Sequence, residues 1–212
     1  MTTLSEFIGN VWADAHALTG WEAVAVALAV AYLWLAMRQS LWCWVAAAIS
    51  TIIFTALFWH VSLLMESALN LFYLAMAGYG FWQWRFGGGE GEGVPLIRWS
   101  RQRHLWIIAS TASVALALGF VMDTYTQADL AYLDAQTTCF AIVTTYMVVN
   151  KVVENWLYWI VINSASIYLY LQKGFALSSG LYVLYIGMAV VGYLKWQKLH
   201  QQQRMMGAPS LA

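Results

Sequence analysis

Seven long apolar runs follow one another along this sequence, and most of them are joined by very short turns. Each run holds enough residues to cross the hydrocarbon core of a bilayer, which is about 30 Å thick, at about 1.5 Å per helical residue. The sequence therefore predicts an all-α membrane protein with seven transmembrane helices. The predicted spans are Trp21–Met37, Leu41–Trp59, Leu63–Trp84, His104–Met122, Ala131–Val149, Asn155–Leu171 and Ser178–Trp196.

The charge content argues against several other classes of protein. Only 9% of the residues are charged and 62% are hydrophobic, whereas a soluble domain carries about 25% charged residues. Ten basic and ten acidic residues leave no net charge, so the chain lacks the strongly basic face of a nucleic-acid-binding protein. Two cysteines cannot form a disulfide scaffold. No His, Cys and Asp cluster has zinc spacing, and we expect neither a metal nor a cofactor.

Two segments outside the spans differ in character. In residues 1–20, apolar residues recur at helical spacing among polar ones, which predicts an amphipathic helix in the membrane interface; an eighth, weakly hydrophobic span is the alternative. This segment lacks the cationic start and apolar centre of a signal peptide. Residues 86–103 begin with glycines and glutamates and contain no Lys-Ser or Lys-Thr pair, which predicts a flexible acidic linker instead of a phosphate-binding loop.

The basic residues orient the predicted helices in the membrane. With seven spans, a single basic residue, Lys173, falls on one side, and the others fall on the opposite side. Those others are Arg38, Arg85, Arg98, Arg101, Arg103, Lys151, Lys195, Lys198 and Arg204. Because basic residues concentrate in cytoplasmic loops, we expect an external N-terminus and a cytoplasmic C-terminus.

The sequence also matches itself at one constant interval of 112 residues, the separation of positions 44 and 156. The aligned pairs are Trp44 and Trp156, Leu69 and Leu181, Tyr73 and Tyr185, Met76 and Met188, Gly80 and Gly192, and Trp84 and Trp196. Matches of Trp, Tyr and Gly at corresponding points of the helices indicate an internal repeat. No gap is needed between residues 21 and 84.

The repeat predicts the organisation of the chain. Because an odd number of spans precedes the second copy, both copies insert with the same polarity, which gives a 3+1+3 plan of parallel repeats. Transporters with repeats hold their substrate between them near the midplane. The predicted parts are an interfacial helix (1–20), a first three-helix bundle (21–85), a cytoplasmic Gly-rich linker (86–103), a linking helix (104–123), a second three-helix bundle (130–197) and a cytoplasmic tail (198–212).

Polar residues within the predicted spans mark a candidate substrate site, because polar side chains are costly in lipid unless they are partnered. In the sixth span, Trp156, Trp159 and Asn163 are spaced i, i+3 and i+7 and so share one helical face, with Asn163 about 12 Å from the cytoplasmic end. Indole faces and a carboxamide suit a planar, hydrogen-bonding, cationic ligand. The neighbouring spans add Asn70, Tyr73, Gln83 and Gln136.

Purely structural roles stay open for several of these residues. Trp156 lies near a helix end, where tryptophan also anchors helices at the membrane interface. The amides of Asn70 and Asn163 could equally form hydrogen bonds between helices, worth about 1 kcal/mol.

Charged groups are missing from the centre of the predicted spans. No Asp, Glu, Lys or Arg lies at mid-depth in any of them, whereas ion-coupled carriers usually keep an intramembrane carboxylate. The sequence therefore favours facilitated diffusion. No nucleophile, base or metal set converges, so an enzyme is disfavoured. The four histidines lie at helix ends or in tails, which makes a metal site improbable.

The motif and the 3+1+3 plan resemble the PnuC family of bacterial vitamin transporters, and especially its nicotinamide riboside members, from about Trp21 to Trp196. The resemblance is carried by Trp156-x-x-Trp159-x-x-x-Asn163, by Ser166-Ile167-Tyr168-Leu169-Tyr170 with Lys173-Gly174, by Leu181-Tyr182-x-Leu184-Tyr185-x-x-Met188-Ala189-Val190-x-Gly192-Tyr193, and by Arg38-Gln39-Ser40-x-Trp42 and Tyr79-Gly80-Phe81-Trp82-Gln83-Trp84.

This resemblance implies a homotrimer in the bacterial inner membrane, in which each subunit has its own substrate path and a fold like an enlarged SWEET sugar transporter. It implies uptake of nicotinamide riboside, a precursor for NAD biosynthesis, without energy coupling. Phosphorylation of the ribosyl group in the cytoplasm would trap the substrate. The family's substrate contacts would fall on Trp156, Trp159 and Asn163.

The chemistry of nicotinamide riboside agrees with the candidate residues. Indole faces can hold its pyridinium ring by cation–π attraction of about 2 kcal/mol when desolvated, and amides can pair with its carboxamide and ribose. No basic residue lies at mid-depth in the predicted spans to bind a phosphate, which fits a nucleoside. Relatives carry thiamine or riboflavin on the same scaffold, so another ring-containing vitamin is the alternative cargo. A membrane-embedded receptor or structural subunit is a third hypothesis.

Overall fold

Seven α-helices make up most of the computed structural model, which describes residues 6, 8–9, 11, 20–60, 64–89, 93–126, 130–172 and 176–207. No β-strand occurs within these ranges, and the prediction of an all-α chain with seven helices is confirmed. The helices are α1 (Gly20–Met37), α2 (Trp42–His60), α3 (Leu64–Phe86), α4 (Arg101–Tyr125), α5 (Ala131–Val149), α6 (Asn155–Gln172) and α7 (Ala176–Met205). The interfacial helix predicted for residues 1–20 lies mostly outside the described residues.

Helix α4 begins three residues before its predicted start at His104. Ser100 caps the helix, because its hydroxyl accepts a hydrogen bond from the backbone N–H of Arg103 at 3.3 Å. A serine at this position satisfies one of the N–H groups that the first turn leaves free. The polar turn that precedes the apolar run is therefore already helical.

Helix α7 is longer than its predicted span. It continues nine residues past Trp196 to Met205, so the tail predicted from residue 198 is helical in its first part. The added residues include Lys, Gln, Leu and Arg, which are good helix formers. No glycine or proline intervenes before Gly207, whose φ of +77° suits the end of a helix. The extension carries α7 about 13 Å beyond Trp196.

Hydropathy separates the helices into two kinds. Among the described residues, α1, α4 and α7 are long and apolar enough to cross a membrane by length and composition, and α2 contains a shorter apolar stretch, Trp42–Ala56. Helices α5 and α6 have 19 and 18 residues but carry several amide and hydroxyl side chains. Because polar groups avoid lipid, a binding site is expected on the interior faces of the more polar helices.

The helices form two groups of three with α4 between them in sequence. In the first group α2 packs against α1 and α3, and in the second group α6 packs against α5 and α7. Helix α1 also contacts α7, and α3 contacts α5. At the interval of 112 residues, α1 corresponds to α5 and α3 to α7, so these two contacts between the groups are equivalent. Helix α4 packs on α5.

The turns α1–α2 and α5–α6 have the same backbone structure. In one turn the N–H of Gln39 donates to the carbonyl of Ala36, and in the other the N–H of Lys151 donates to the carbonyl of Val148, both at 3.0 Å. Gln39 and Lys151 have φ values of 54° and 49°, in the left-handed region that non-glycine residues rarely adopt. We call the end of the molecule that holds these turns the basic end, because most of the Lys and Arg residues flank it.

Two tryptophan pairs lie at the basic end in matching positions. Trp44 and Trp84 meet edge to face, with ring centroids 5.3 Å apart and an interplanar angle of 85°. Trp156 and Trp196 repeat this arrangement at 5.4 Å and 88°. Edge-to-face pairs are a favoured geometry for aromatic rings. Since both pairs belong to one buried cluster, we call these four residues the tryptophan cluster.

The same pairs require glycine at two positions. A Cβ atom on Gly192 would lie 2.7 Å from the ring of Trp156, and one on Gly80 would overlap the ring of Trp44. Real Cβ atoms essentially never approach other atoms that closely. Glycine at both positions therefore lets α3 and α7 approach the rings of the neighbouring helices α2 and α6.

Reciprocal hydrogen bonds join the two groups of helices beside the tryptophan cluster. The indole N–H of Trp84 reaches the carbonyl oxygens of Val149 and Val148 at 3.0 and 3.3 Å. The indole N–H of Trp196 donates to the carbonyl of Ala36 at 3.1 Å. These carbonyl groups lie at the C-terminal ends of α5 and α1, and those of Ala36 and Val148 also accept the turn N–H groups of Gln39 and Lys151.

The segment predicted to be a flexible linker, 86–103, is well packed over residues 93–100. The backbone N–H of Ile97 donates to Lys151 at 3.1 Å, and the N–H of Val153 donates to Ile97 at 2.9 Å. Leu96 is buried in the same core as the tryptophan cluster, and its carbonyl lies 3.0 Å from Nδ1 of His200. The glycines at the start of the segment favour flexibility, but these long-range contacts hold its second half in place.

Candidate substrate-binding site

One face of α6 points into the protein along its whole length. Trp156 and Asn163 are buried, with 1% and 4% of their surface exposed, whereas Val161 on the other side is 70% exposed. Asn163 therefore faces the interior of the protein, as a site on this face of α6 requires. The buried face continues to Tyr170, seven residues after Asn163.

The three residues predicted on this face have different surroundings. The ring of Trp156 is enclosed by Trp196 and Gly192, and its N–H has no hydrogen-bond partner among the described residues. Trp159 lies one turn further along, half-buried against the same core. This arrangement gives Trp156 a packing role beneath the site and leaves Trp159 with surface available for a ligand.

The side-chain amide of Asn163 lies in the interior of the protein. Its side chain makes no hydrogen bond to any residue that the structure describes, although the residue is only 4% exposed. An interior amide that has no partner within the protein normally binds water or a ligand. Asn163 lies about 12 Å from the start of α6, close to the middle of a bilayer.

A cluster of tyrosines continues the interior surface away from the basic end. The rings of Tyr170 and Tyr182 lie 5.3 Å apart, and those of Tyr182 and Tyr185 lie 5.9 Å apart at 90°. Tyr73 on α3 lies near Tyr182 on α7 and Tyr32 on α1. All five side chains keep some exposed surface, and we call them the tyrosine cluster. It joins both groups of helices.

The structure brings only some of the predicted residues together. Tyr73 belongs to the tyrosine cluster, and half-buried Asn70 precedes it by almost one turn on α3. Gln83 instead lies at the basic end, with its amide next to Gly87. Gln136 faces α4, where its Nε2 lies 3.4 Å from the carbonyl of Ala112.

The spacing of the tyrosines in the sequence indicates that they share helical faces, although Tyr73 is the one member of the cluster among the predicted site residues. Tyr170 follows Asn163 at i+7, and Tyr182 and Tyr185 are separated by three residues, so each set shares a helical face. Tyr185 is the repeat partner of Tyr73, and Tyr170, Tyr182 and Tyr185 all belong to the motifs that carry the family resemblance. Tyr32 shows no comparable pattern in its own helix.

An ionic cluster lies between the packed half of the linker and α6 at the basic end. The guanidinium of Arg98 donates to the carboxylate of Glu154, and this hydrogen bond raises the pKa of Arg98. Nδ1 of His104 lies 2.8 Å from the hydroxyl of Tyr158. Nε2 of His104 is 3.8 Å from Glu154. These contacts attach the start of α4 to α6.

Lys151 provides a pH-dependent contribution to stability at the same end. Burial lowers its pKa from 10.5 to about 8, although its ammonium lies 4.8 Å from the centre of the Trp84 ring. Between these two values the unfolded chain binds the proton more strongly, so stability should rise as the pH increases from about 8 to 10.5.

We expect Lys151→Gln, which introduces the residue found at position 39, to reduce this rise. Thermal unfolding of both proteins at several pH values measures this rise in stability. The same pH dependence in Lys151→Gln and in the unchanged protein would contradict the prediction.

Comparisons with known proteins identify the family. Residues 19–198 match the family model described as nicotinamide mononucleotide transporter. The riboflavin/roseoflavin transporter RibM of Streptomyces davaonensis is 27% identical over 167 residues, which cover 76% of this chain and 77% of that protein. The crystal structure of the vitamin B3 transporter PnuC has the same fold, with a TM-score of 0.70 at 21% identity over 95% of this chain and 94% of the other.

The family match agrees with the buried amide, the aromatic interior and the apolar helices. It also accounts for α5 and α6, whose polar side chains lower their hydropathy, because several of these side chains are buried inside the protein: Thr144, Thr145, Asn163 and Ser166. The resemblance seen in the sequence is confirmed. The chain belongs to the PnuC, or nicotinamide mononucleotide transporter, family of membrane vitamin transporters.

Proposed function

We propose that the chain takes up nicotinamide riboside by facilitated diffusion. The observation that carries this proposal is the buried, unbonded amide of Asn163, which lies one turn beyond Trp159 and before the tyrosine cluster. The amide can pair with the carboxamide of the substrate, and the indole of Trp159 can stack on its cationic ring. Hydroxyls of the tyrosine cluster suit the ribose.

The charge distribution supports transport without ion coupling and a substrate without phosphate. Asp134 is the single charged residue in α5, and α6 has none. A nucleotide phosphate would require a basic partner, and the nearest basic residue on the connecting turn is Lys151, at the basic end. In this proposal phosphorylation of the ribosyl group after entry traps the vitamin inside the cell.

We further propose that α1–α3 and α5–α7 are parallel repeats joined by α4, the 3+1+3 plan of a SWEET-like carrier. The identical turns and the matched tryptophan pairs support this plan, because their equivalent residues are all 112 positions apart. The proposed assembly is a homotrimer in the bacterial inner membrane, with the basic end and the C-terminus in the cytoplasm.

Riboflavin is a second candidate cargo, because a relative of 27% identity is named as a riboflavin/roseoflavin transporter; thiamine, another cationic ring, is a third. Titration calorimetry of the purified protein with nicotinamide riboside, nicotinamide mononucleotide, thiamine and riboflavin distinguishes them. We expect nicotinamide riboside to bind at least about tenfold more tightly, or about 1.4 kcal/mol. Tighter binding of another vitamin would reassign the cargo.

Uptake into liposomes without an ion gradient tests facilitated diffusion, and binding without uptake would favour a receptor.

The site itself is tested by two substitutions on α6. We expect Trp159→Ala and Asn163→Ala each to weaken substrate binding at least about tenfold, because each removes a direct contact with the ring or its amide. Ser164→Ala is the matched control, since the Ser164 hydroxyl is exposed and bonds only to the carbonyl of Ile160. Calorimetry on folded protein measures the affinities. Two variants that bind like Ser164→Ala would remove both residues from the site.

A further inference from the structure

A groove opens between α4, α5 and α6 on the face of α6 opposite to Asn163. Its volume is about 380 Å³, and most of its lining is hydrocarbon. The apolar side chains of the lining are Ile108, Phe140, Leu157, Val161 and Ile162. Because Leu157 and Val161 are exposed, the groove opens on the outer surface of the chain and is separate from the proposed substrate path.

The polar residues of the groove are already engaged. The amide of Gln136 donates to the carbonyl of Ala112, and the hydroxyl of Thr137 donates to the carbonyls of Leu133 and Asp134 at 3.1 and 3.0 Å. With these groups satisfied, the groove offers little to a polar ligand and suits a flexible apolar chain.

The length of the groove matches half a bilayer. Its lining extends along α6 from Leu157 to Ala165, a rise of about 12 Å. One leaflet of the hydrocarbon core is about 15 Å thick. Leu157 and Tyr158 lie in the first turn of α6, so the groove begins at the basic end and extends towards the midplane.

Positive charge lies where the groove begins. Arg101, His104 and Ile108 are spaced i, i+3 and i+7 on α4, so Arg101 lies on the helix face that lines the groove. The guanidinium of Arg101 has no ion pair with a described residue, whereas Arg98 is bound to Glu154. The N-terminal end of the α4 dipole adds to the positive potential, although Ser100 already binds the N–H of Arg103.

We propose that this groove binds an anionic phospholipid from the leaflet at the basic end. One acyl chain occupies the groove, and the headgroup phosphate lies at Arg101 and the start of α4. Juxtamembrane basic residues attract anionic lipids in this way. The lipid would fill the space between α4 and α6 and so stabilise the attachment of α4 to the second group of helices.

The test compares two lipids with identical acyl chains, dioleoyl phosphatidylglycerol and dioleoyl phosphatidylcholine, added to the detergent-purified full-length protein. Native mass spectrometry counts the bound lipids, and the unfolding temperature reports stabilisation. We expect phosphatidylglycerol to bind more tightly and to raise the unfolding temperature further. Arg101→Ala should reduce its affinity about fivefold. Lys198 is an exposed basic residue on α7 near the same end. Lys198→Ala should leave the affinity for phosphatidylglycerol unchanged.

A second pair of variants tests the groove itself. Val161→Trp should fill the groove and weaken the binding of both lipids, whereas Val183→Trp, at an exposed position on α7, should leave both unchanged. Equal affinity for the two lipids, or no effect of Arg101→Ala, would overturn the proposal. It would also be overturned if Val161→Trp left lipid binding intact but changed the oligomeric mass, because a second copy of the chain would then cover the groove.

Discussion

Replacing Gly80 or Gly192 by valine is expected to prevent stable folding of the chain. The added side chain at Gly192 would occupy space filled by the ring of Trp156, and the one at Gly80 would occupy the ring of Trp44. Both rings are almost completely buried. Overpacking a well-packed core costs about 1–3 kcal/mol or more, and here the displaced ring would also disturb its edge-to-face partner.

Two other glycines provide matched controls on the same helices. At Gly78 on α3 and Gly187 on α7, an added Cβ atom would have no neighbouring atom within 4 Å. Gly78→Val and Gly187→Val should therefore give monodisperse protein with nearly unchanged unfolding temperature. Size-exclusion chromatography and thermal unfolding of all four variants measure the difference. Equal stability of Gly192→Val and Gly187→Val would show that the Trp156 ring is free to move.

The second large effect is expected from Trp84→Phe and Trp196→Phe. Each change keeps an aromatic ring but removes the N–H that reaches a carbonyl in the other group of helices. The loss of a buried hydrogen bond costs about 1 kcal/mol, and the Ala36 carbonyl keeps its bond from the backbone N–H of Gln39. The double variant should lose more than either single variant and should loosen the basic end.

Cys43 reports this loosening directly, because it lies in the first turn of α2 and is 0% exposed. In a Cys139→Ser background, Cys43 is the single cysteine of the chain. We expect a thiol reagent to label it several times faster in the double variant, as local opening becomes more frequent. Trp106→Phe is the control, since Trp106 is 70% exposed. Labelling at the control rate would mean that the indole N–H groups do not hold the basic end closed.

Apolar length was sufficient to predict the helices, because membrane spans need continuous hydrophobic segments. The predicted span Ala131–Val149 coincides with α5. Hydropathy failed at the start of α4 and the end of α7, where a serine cap and a run of polar helix formers determine the boundaries. Such signals depend on hydrogen bonding and backbone propensity, whereas hydropathy ends a span wherever polar residues begin.

Helical spacing was equally informative for the face of α6, since a fixed rotation per residue places Trp156 and Asn163 on one side. It could not show that Gln136 turns towards α4, because depth in the membrane does not determine the direction of a side chain. The packing of residues 93–100 was also hidden. Their hydrogen bonds join Ile97 to Lys151 and Val153, which are more than fifty positions away in the sequence.

The reciprocal indole bonds have a consequence for how such a chain could have originated. Each half provides one donor, Trp84 or Trp196, and receives the other half's donor at Val149 or Ala36. A half-length ancestor would therefore carry both the donor and the acceptor of one self-complementary interface. Two identical copies would satisfy each other across a two-fold axis, and gene duplication with one extra helix would then fuse that dimer into a single polypeptide.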